Sequence, residues 1–250
     1  MIATIFHAGK EYRVDFFKPI DISMPLSTDA NGTSAWYVAP MKLEPVVMGE
    51  WVGDVNRGGS VNFRNISFNP HGNGTHTECV GHISKSFETI NAHLKRFMFI
   101  AELITVLPTQ IENGDFVITK AQLVSLLKDS KNLEALVIRC LGNGPAKLHT
   151  NYSNTNPPYI AAEAIEWLNE IGVQHLLIDM PSVDREQDGG ALAAHHAFWQ
   201  YPANTQFHKT ITEMIYVANE IEDGTYLLNL QIAPFENDAS PSKPILYKVY

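Results

Sequence analysis

The pattern of apolar and polar positions predicts a chain richer in strands than in helices. Apolar residues alternate with polar ones at positions 61 and 63 and then at 66 and 68. The change of parity between the two pairs is typical of a strand with a bulge. Runs rich in β-branched and aromatic residues, typical of buried strands, occur at Met98 to Leu107, Leu136 to Cys140, His175 to Ile178, Tyr226 to Ile232 and Ile245 to Val249. These segments supply enough strand for a substantial sheet.

Two segments have the features of helices. Thr119 and Gln122 have the spacing of a capping box, and an apolar stripe follows them up to Leu127. Between Ala161 and Ile171, apolar residues recur at helical spacing, and Gly172 follows as a stop signal. Each helix precedes a buried strand, so we predict one mixed α/β domain over residues 1–250, strand-rich and with a few helices.

Three loops are predicted between these elements: Asn69 to Gly81, Gly142 to Tyr159 and Pro181 to Gly190. Two of them follow strongly apolar strands, which is where α/β folds commonly collect ligand-binding groups. We therefore expect functional side chains in these loops.

Composition and charge narrow the class of protein. Of the 250 residues, 45% are hydrophobic and 18% are charged, which is typical of a soluble globular domain and excludes disorder. The longest apolar stretch, Phe97 to Leu107, is interrupted by Glu102 and is too short to cross a bilayer. A formal net charge of -9 disfavours nucleic acid as a ligand.

The cysteines and the start of the chain predict a cytoplasmic location. Cys79 and Cys140 form no CxxC pair and are too few for a disulfide framework, which favours a reducing compartment. The first twelve residues lack the basic start and apolar core of a secretory signal. Both cysteines are interpreted as core residues, since a reactive thiol needs a lowered pKa that the sequence does not indicate.

A cluster of metal-binding residue types lies within residues 71–82: His71, His76, Glu78 and His82. Imidazole and carboxylate groups suit zinc, manganese or iron, and nearby glycines would let the backbone bend closely around an ion. His76, Glu78 and His82 share parity, so in an extended chain they would point to one side. Spacing alone leaves open surface or hydrogen-bonded core histidines.

Residues farther along the chain strengthen the metal interpretation. The strand ending at Asp179 is followed by Asp184 and then by His195 and Glu213, and these separated His and Glu donors could complete a site begun by the first cluster. Four other histidines, His7, His93, His149 and His175, have no partner at informative spacing and are assigned surface or structural roles.

The order of these motifs resembles the cyclase family of metal-dependent hydrolases, which includes bacterial kynurenine formamidase and isatin hydrolase. The family signature is His-x-Gly-Thr-His-x-Asp-x-Pro-x-His, and the segment from Gly74 to His82 is similar to it. The resemblance covers most of the chain and implies the family's swivelling β/β/α fold. Its other matching segments are Ile20 to Leu26 with Trp36, Pro158-Tyr159, Asp179 to Asp184, Ala194-His195, the strand around Glu213, Ile232 to Pro234 and Pro244 to Leu246.

The resemblance implies roles for individual residues. His76 and Glu78 correspond to metal ligands, His195 and Glu213 correspond to ligands that complete a second metal position, and His82 corresponds to the catalytic histidine. The chain also departs from the signature: Gly72 stands where the first histidine should be, Glu78 replaces Asp, and Val80 replaces Pro. A one-residue bulge through Gly72 and Asn73 would return His71 to the site as a ligand.

An insertion between Trp199 and Thr210 lengthens the usual spacing of His195 and Glu213 and contains His208, a rival ligand. Aromatic residues at Trp36 and Phe198 are the favoured substrate contacts, since flat apolar side chains pair well with aryl rings.

Together these features predict a metal-dependent hydrolase that cleaves an amide-type bond, either an N-formyl group or a cyclic amide, of a small and possibly aryl substrate. One or two divalent ions are expected, zinc first and manganese second. Two alternatives stay open: a metal-dependent lyase or dehydratase acting on a hydroxy acid, and a protein that binds a metal or small molecule without turnover. No membrane partner is expected, and the resemblance implies a homo-oligomer.

Overall fold

The computed structural model describes residues 1–128 and 133–250. Its α-helices are α1 (Ile90–His93), α2 (Lys120–Leu126), α3 (Ala162–Glu170) and α4 (Ala193–Trp199). The first nine strands are β1 (Ile2–His7), β2 (Lys10–Asp15), β3 (Ile20–Asp21), β4 (Lys42–Pro45), β5 (Val47–Met48), β6 (Trp51–Val52), β7 (Arg64–Ser67), β8 (His76–Glu78) and β9 (Met98–Val106). The others are β10 (Thr109–Gln110), β11 (Phe116–Ile118), β12 (Ala135–Cys140), β13 (Tyr159–Ile160), β14 (His175–Ile178), β15 (Thr210–Glu213), β16 (Gly224–Asn229), β17 (Ala239–Pro241) and β18 (Ile245–Lys248).

A mixed sheet of nine strands, counted over the described residues, forms the centre of the fold in the order β17-β8-β15-β14-β12-β9-β16-β18-β3. The four strands β9, β12, β14 and β15 are parallel and lie side by side in the sheet in the same order as along the chain. The strands on either side of them, β8 and β16, are antiparallel to their neighbours in this group. Each parallel step needs a crossover, and α2, α3 and α4 provide the three of them. The carboxyl ends of β14 and β15 therefore open onto the same edge of the sheet.

The core lies on both faces of this sheet. Every residue of β12 is buried, as expected for a central parallel strand covered on both sides. On one face, Leu136 and Ile138 pack with Leu123 of α2 and Leu168 of α3. On the other face, Val137 packs with residues of β9 and β16. Helices α2, α3 and α4 thus cover one face, which also carries the site described below, whereas Ile90 of α1 packs on the other.

The sequence predictions of the fold class and of the main elements are confirmed. The fold is strand-rich and mixed α/β with few helices, and the five predicted strands appear as β9, β12, β14, β16 and β18. The capping box at Thr119 and Gln122 is present, with Thr119 Oγ1 accepting from Gln122 N at 3.3 Å. Helix α4 was not predicted, because Leu192 at its start has no side chain that can cap a helix. Leu192 adopts a left-handed conformation there.

The segment around position 64 forms a shorter strand than the alternation at 61 to 68 predicts. Strand β7 covers Arg64–Ser67 and, among the described residues, pairs only with β4, and Val61, Phe63 and Ile66 are all more than half exposed. A two-stranded ribbon has no second layer to bury its apolar face, so alternation alone does not report burial here. No helix among the described residues is long and apolar enough to span a membrane.

Candidate metal centre

The register of three strands places acidic and imidazole side chains on the helix-covered face of the sheet. In the pairing of β8 with β15, His76 lies opposite Glu213 and Glu78 lies opposite Ile211. Residues two apart on a strand point to the same face, so His76 and Glu78 both project toward α4. The predicted loop from Asn69 to Gly81 therefore contains a short strand, and that strand carries two of the predicted ligands.

His71 reaches the cluster through a tight turn. The backbone N–H groups of Gly72 and Asn73 both donate to the carbonyl of Asn69, at 3.4 and 3.2 Å. A Cβ atom at position 72 would lie 2.5 Å from Val38 Cγ2, so a histidine does not fit at that position. The turn instead brings His71 Nδ1 to 3.2 Å from Glu78 Oε2.

Helix α4 contributes His195, and Asp184 orients it. The Asp184 carboxylate accepts from the backbone N–H groups of Ala194 and His195, at 2.8 and 3.1 Å, and from His195 Nδ1 at 2.6 Å. With Nδ1 donating to Asp184, His195 Nε2 faces Glu78 Oε1 at 3.2 Å. Asp184 was noted in the sequence only as part of a motif, and the structure identifies its contacts.

His76 shows most clearly that the cluster suits a cation. Its Nδ1 lies 3.0 Å from the Gly74 carbonyl, which only accepts, so Nδ1 carries the proton and Nε2 presents a lone pair. That lone pair faces Glu213 Oε2 at 3.4 Å, which places two acceptors opposite each other in a fully buried position. Among the described residues, His76 Nε2 and Glu78 Oε2 are buried without a hydrogen-bond partner.

The distances in the cluster also fit a metal. Two ligand atoms bound at about 2.1 Å to a tetrahedral or octahedral ion lie about 3.0 to 3.4 Å apart. The three facing pairs, His71 with Glu78, His195 with Glu78 and His76 with Glu213, are separated by 3.2, 3.2 and 3.4 Å. Two groups of possible ligands share Glu78, one with His71 and His76 and the other with His82 and His195. The donor set therefore fits a divalent ion.

A carboxylate that the sequence did not indicate completes the cluster. Asp238 immediately precedes β17, and its Oδ2 is 2.8 Å from His71 Nε2 and 3.4 Å from His82 Nδ1. It is 167 residues from His71 along the chain, so no local spacing connects the two. Only the pairing of β17 with β8 at the edge of the sheet brings them together.

The carboxylates give the cluster a strong preference for positive charge. Burial lowers the pKa of His71, but Asp238 and Glu78 more than offset it and raise that pKa to about 10. Burial likewise lowers the pKa of His195, whereas Asp184 and Glu78 raise it to about 10. Burial raises the pKa of Glu78, but His82, His195 and His71 bring it well below its usual range. Protons or a metal cation would satisfy the same carboxylates.

A cavity of about 360 Å³ opens above the cluster. His71, His82, His195 and Glu213 lie at its base, and Trp36, Val38, Arg185 and Leu192 are among the residues of its walls. Trp36 and Tyr37 are both left-handed, with φ of 57° and 58°. The Tyr37 hydroxyl, hydrogen-bonded to Asn154 at 3.0 Å, holds this strained segment at the rim. Trp36 is thus on the cavity wall, and its contact with a substrate stays a prediction.

Two residues singled out in the sequence lie outside the cavity and the cluster. Phe198 is fully buried in the core, with the Lys209 ammonium 4.9 Å from its ring centroid, so its assignment as a substrate contact is wrong. Phe198 belongs to the same core cluster as Trp199 of α4 and Ile211 of β15. His208 is exposed in the insertion, and Glu213 reaches the cluster without it.

Two other histidines and both cysteines have contacts typical of structural residues. His175 is buried against Phe99, and burial lowers its pKa to about 3. His93 pairs with Glu88 at 2.8 Å. Cys79 and Cys140 are buried, as predicted, and burial raises the pKa of the Cys79 thiol to about 12, which leaves it unreactive.

Fold and site together define a metal-dependent enzyme in which a buried set of histidines and carboxylates lies below a small cavity. The Cyclase family model matches residues 20–185, which include the segment from His71 to His82 and Asp184. The chain therefore belongs to the Cyclase family, as the sequence predicts, and it is a hydrolase.

Curated relatives and solved structures are similar to the chain over most of its length. The chain is 28% identical over 231 residues to kynurenine formamidase from Bacillus cytotoxicus, covering 91% of this chain and 96% of that protein. Isatin hydrolase A from Labrenzia aggregata, bound to benzyl benzoate, has a TM-score of 0.65 at 16% identity, covering 92% of this chain and 93% of that one. A predicted metal-dependent hydrolase from Bacillus stearothermophilus has the same TM-score at 18% identity, with coverages of 92% and 98%. These two structures share the fold.

Proposed function

We propose that the protein hydrolyses an amide-type bond, either an N-formyl group or a cyclic amide, in a small substrate. The observation that carries the proposal is the pair of facing acceptors, His76 Nε2 and Glu213 Oε2, buried 3.4 Å apart, of which Glu213 lines the cavity. The names of the relatives, kynurenine formamidase and isatin hydrolase, support the amide class.

His71, His76, Glu78, His195 and Glu213 are proposed to hold one or two divalent ions. Zinc is the first choice and manganese the second, because a mixed histidine and carboxylate set accepts both. When bound, such a metal lowers the pKa of a water molecule towards neutrality and polarises a substrate carbonyl. The remaining chemistry is assigned to side chains of the protein.

His82 is proposed to transfer the proton. Its side chain is 30% exposed and lines the cavity, whereas those of His76 and His195 are nearly fully buried. Its Nδ1 faces the carboxylates of Asp238 and Glu78 at 3.4 and 3.7 Å, which leaves its other ring nitrogen for the cavity. From there it would accept a proton from the attacking water and deliver one to the leaving nitrogen.

The substrate is proposed to be a small aryl or heterocyclic amide. A volume of about 360 Å³ lies at the low end of ligand pockets, which excludes a polymer held entirely inside. Trp36, Val38 and Leu192 offer apolar wall, and Trp36 offers a flat face for an aryl ring. With Phe198 in the core, Trp36 is the aromatic contact that the proposal retains.

An activity screen tests the proposal. N-formylkynurenine, isatin, non-aromatic cyclic amides and hydroxy acids are incubated in parallel with wild type, His82→Ala and His93→Ala. We expect turnover of an aryl amide by wild type, a loss of about 10²-fold or more in kcat for His82→Ala with its metal retained, and no loss for His93→Ala. Turnover of hydroxy acids alone would replace the hydrolase by a lyase, and turnover of nothing would favour a binding protein.

We also propose that the protein is a homo-oligomer. The ribbons β4–β7 and β5–β6 expose Leu43, Val47, Met48, Phe63 and Ile66, and such ribbons are rarely stable without a covering layer. A second copy of the chain would provide that layer. Light scattering is expected to give a dimer or larger for wild type and for Phe87→Asp, an exposed site elsewhere, and a smaller species for Ile66→Asp. A monomeric wild type would contradict the proposal.

A further inference from the structure

The two buried imidazoles of the cluster, those of His76 and His195, each donate a hydrogen bond away from the cluster through one ring nitrogen. The second ring nitrogen of each faces the other proposed metal ligands. His76 donates to the Gly74 carbonyl at 3.0 Å, and His195 donates to Asp184 at 2.6 Å. Such outward acceptors fix the tautomer and the orientation of a ligand imidazole. His71 needs an equivalent acceptor, because it enters from a turn and its side chain is 20% exposed.

We infer that Asp238 is the positioning residue of His71, holding its ring so that Nδ1 faces the metal site. This inference depends on the proposed metal centre. The distance of 2.8 Å between Asp238 Oδ2 and His71 Nε2 is that of a charge-assisted hydrogen bond. It is shorter than the separation of about 3.0 to 3.4 Å expected for two ligands on one ion, so Asp238 acts as an acceptor from His71.

The backbone around Asp238 is held firmly enough for this role. The Asp238 carbonyl accepts from Cys79 N at 3.0 Å, and the Asn237 carbonyl accepts from Ile90 N at 2.8 Å. Ala239 then pairs with Glu78 in the register of β17 and β8. The segment that presents the carboxylate is thus fixed to the strand that carries two of the ligands.

The same oxygen also lies near the proton-transfer residue. Asp238 Oδ2 is 3.4 Å from His82 Nδ1, and the rings of His71 and His82 lie 4.4 Å apart between their centroids. One carboxylate therefore contacts both the ligand that departs from the family spacing and the proposed catalytic histidine. The pairing explains how His71 functions one residue away from the expected position.

The experiment measures metal dissociation constants of the full-length protein by chelator competition with zinc, together with the visible spectrum of the cobalt-substituted protein. Asp238→Asn keeps the shape and removes the charge, and Asp238→Glu keeps the charge. Glu236→Gln is the matched control, since it removes a charge two residues away whose carboxylate bonds only Thr89 and Asn91 in the described structure. His71→Ala, alone and combined with Asp238→Asn, tests whether the effect passes through His71.

We expect Asp238→Asn to weaken zinc binding by about 10- to 100-fold and to change the cobalt spectrum, with partial recovery in Asp238→Glu and wild-type behaviour in Glu236→Gln. In the His71→Ala background, Asp238→Asn should change affinity less than about threefold. Wild-type affinity in Asp238→Asn would overturn the inference, and so would a full further loss in the His71→Ala background, which would make Asp238 a ligand. Failure of wild type to bind zinc or cobalt would overturn the metal centre and this inference together, whereas an inactive wild type that binds zinc would overturn only the proposed hydrolysis.

Discussion

Replacing Glu78 by glutamine is the most informative single perturbation of the cluster. Glu78 Oε1 lies 3.2 Å from His195 Nε2 and its Oε2 lies 3.2 Å from His71 Nδ1, so this carboxylate faces both groups of histidines. Glutamine has almost the same shape but only one acceptor oxygen, and its amide group would face one imidazole with a donor. We therefore expect Glu78→Gln to weaken metal binding on both sides of the cluster.

The magnitude follows from the position of Glu78. Loss of an outer hydrogen-bond partner of a ligand typically costs 10- to 100-fold in metal affinity, so loss of a central carboxylate should cost at least about 100-fold. A 100-fold change corresponds to about 2.7 kcal/mol. For a chain of this length, about 1 kcal/mol shifts Tm by about 2 to 4 °C, so the stabilisation by saturating metal should fall by about 5 to 11 °C.

The assay is thermal unfolding with and without zinc, each variant being compared with its own chelator-treated sample. That comparison removes the effect of the substitution on the metal-free protein. Glu102→Gln is the control, since Glu102 is a half-buried carboxylate on β9 that hydrogen-bonds Thr225 outside the cluster. If Glu78→Gln kept the full zinc-induced rise in Tm, Glu78 would not be a ligand and the proposed geometry of the centre would be wrong.

Four other predictions concern the arm length of residue 78, proton release, the pH dependence of stability and the cavity wall. Glu78→Asp matches the family signature but shortens the arm by about 1.5 Å, so we expect weaker zinc binding by chelator competition, and unchanged binding would show that the backbone adapts. The pKa values of His71 and His195 are raised to about 10, so both side chains should carry a proton at pH 7 that a bound metal displaces. Calorimetry in buffers of different ionisation enthalpy should therefore detect the release of about two protons on metal binding. Metal binding without proton release would contradict the assignment of His71 and His195 as ligands. The raised pKa values of these two histidines also stabilise the metal-free protein. This contribution to the free energy of unfolding is fully present below their unfolded pKa of about 6.5 and is lost as the pH rises through about 10. Denaturant titrations at several pH values would detect the loss. Trp36→Ala should raise KM for an aryl amide by about tenfold with little change in kcat, and an equal effect on non-aromatic substrates would remove the aromatic contact.

Much of the fold was predictable because local patterns and packing agree in the parallel part of the sheet. Strand β12 is apolar except for Arg139 and is buried on both faces, and α2 starts at its capping box. The pattern misled at Ile66, where a strand-like alternation lies on an exposed ribbon. Burial there depends on what covers the ribbon, which the local sequence does not encode.

The site was predictable where its residues are close in sequence or lie in a motif. His76 and Glu78 share a strand face, and the resemblance indicated His195 and Glu213. Asp238 was missed because its place depends on β17 joining the sheet edge, a pairing between segments more than 150 residues apart. Phe198 was misassigned because position along the chain does not show which side of α4 packs into the core.

Metal content is the most direct test of the account. Protein purified without chelator, and His76→Ala prepared in parallel, are analysed for zinc and manganese by elemental analysis, with His93→Ala as the matched histidine control. We predict one or two equivalents of a divalent metal in wild type and His93→Ala, and a sharp reduction in His76→Ala, because His76 presents a buried lone pair to Glu213. No metal in wild type, even after reconstitution with zinc or manganese, would contradict the central claim.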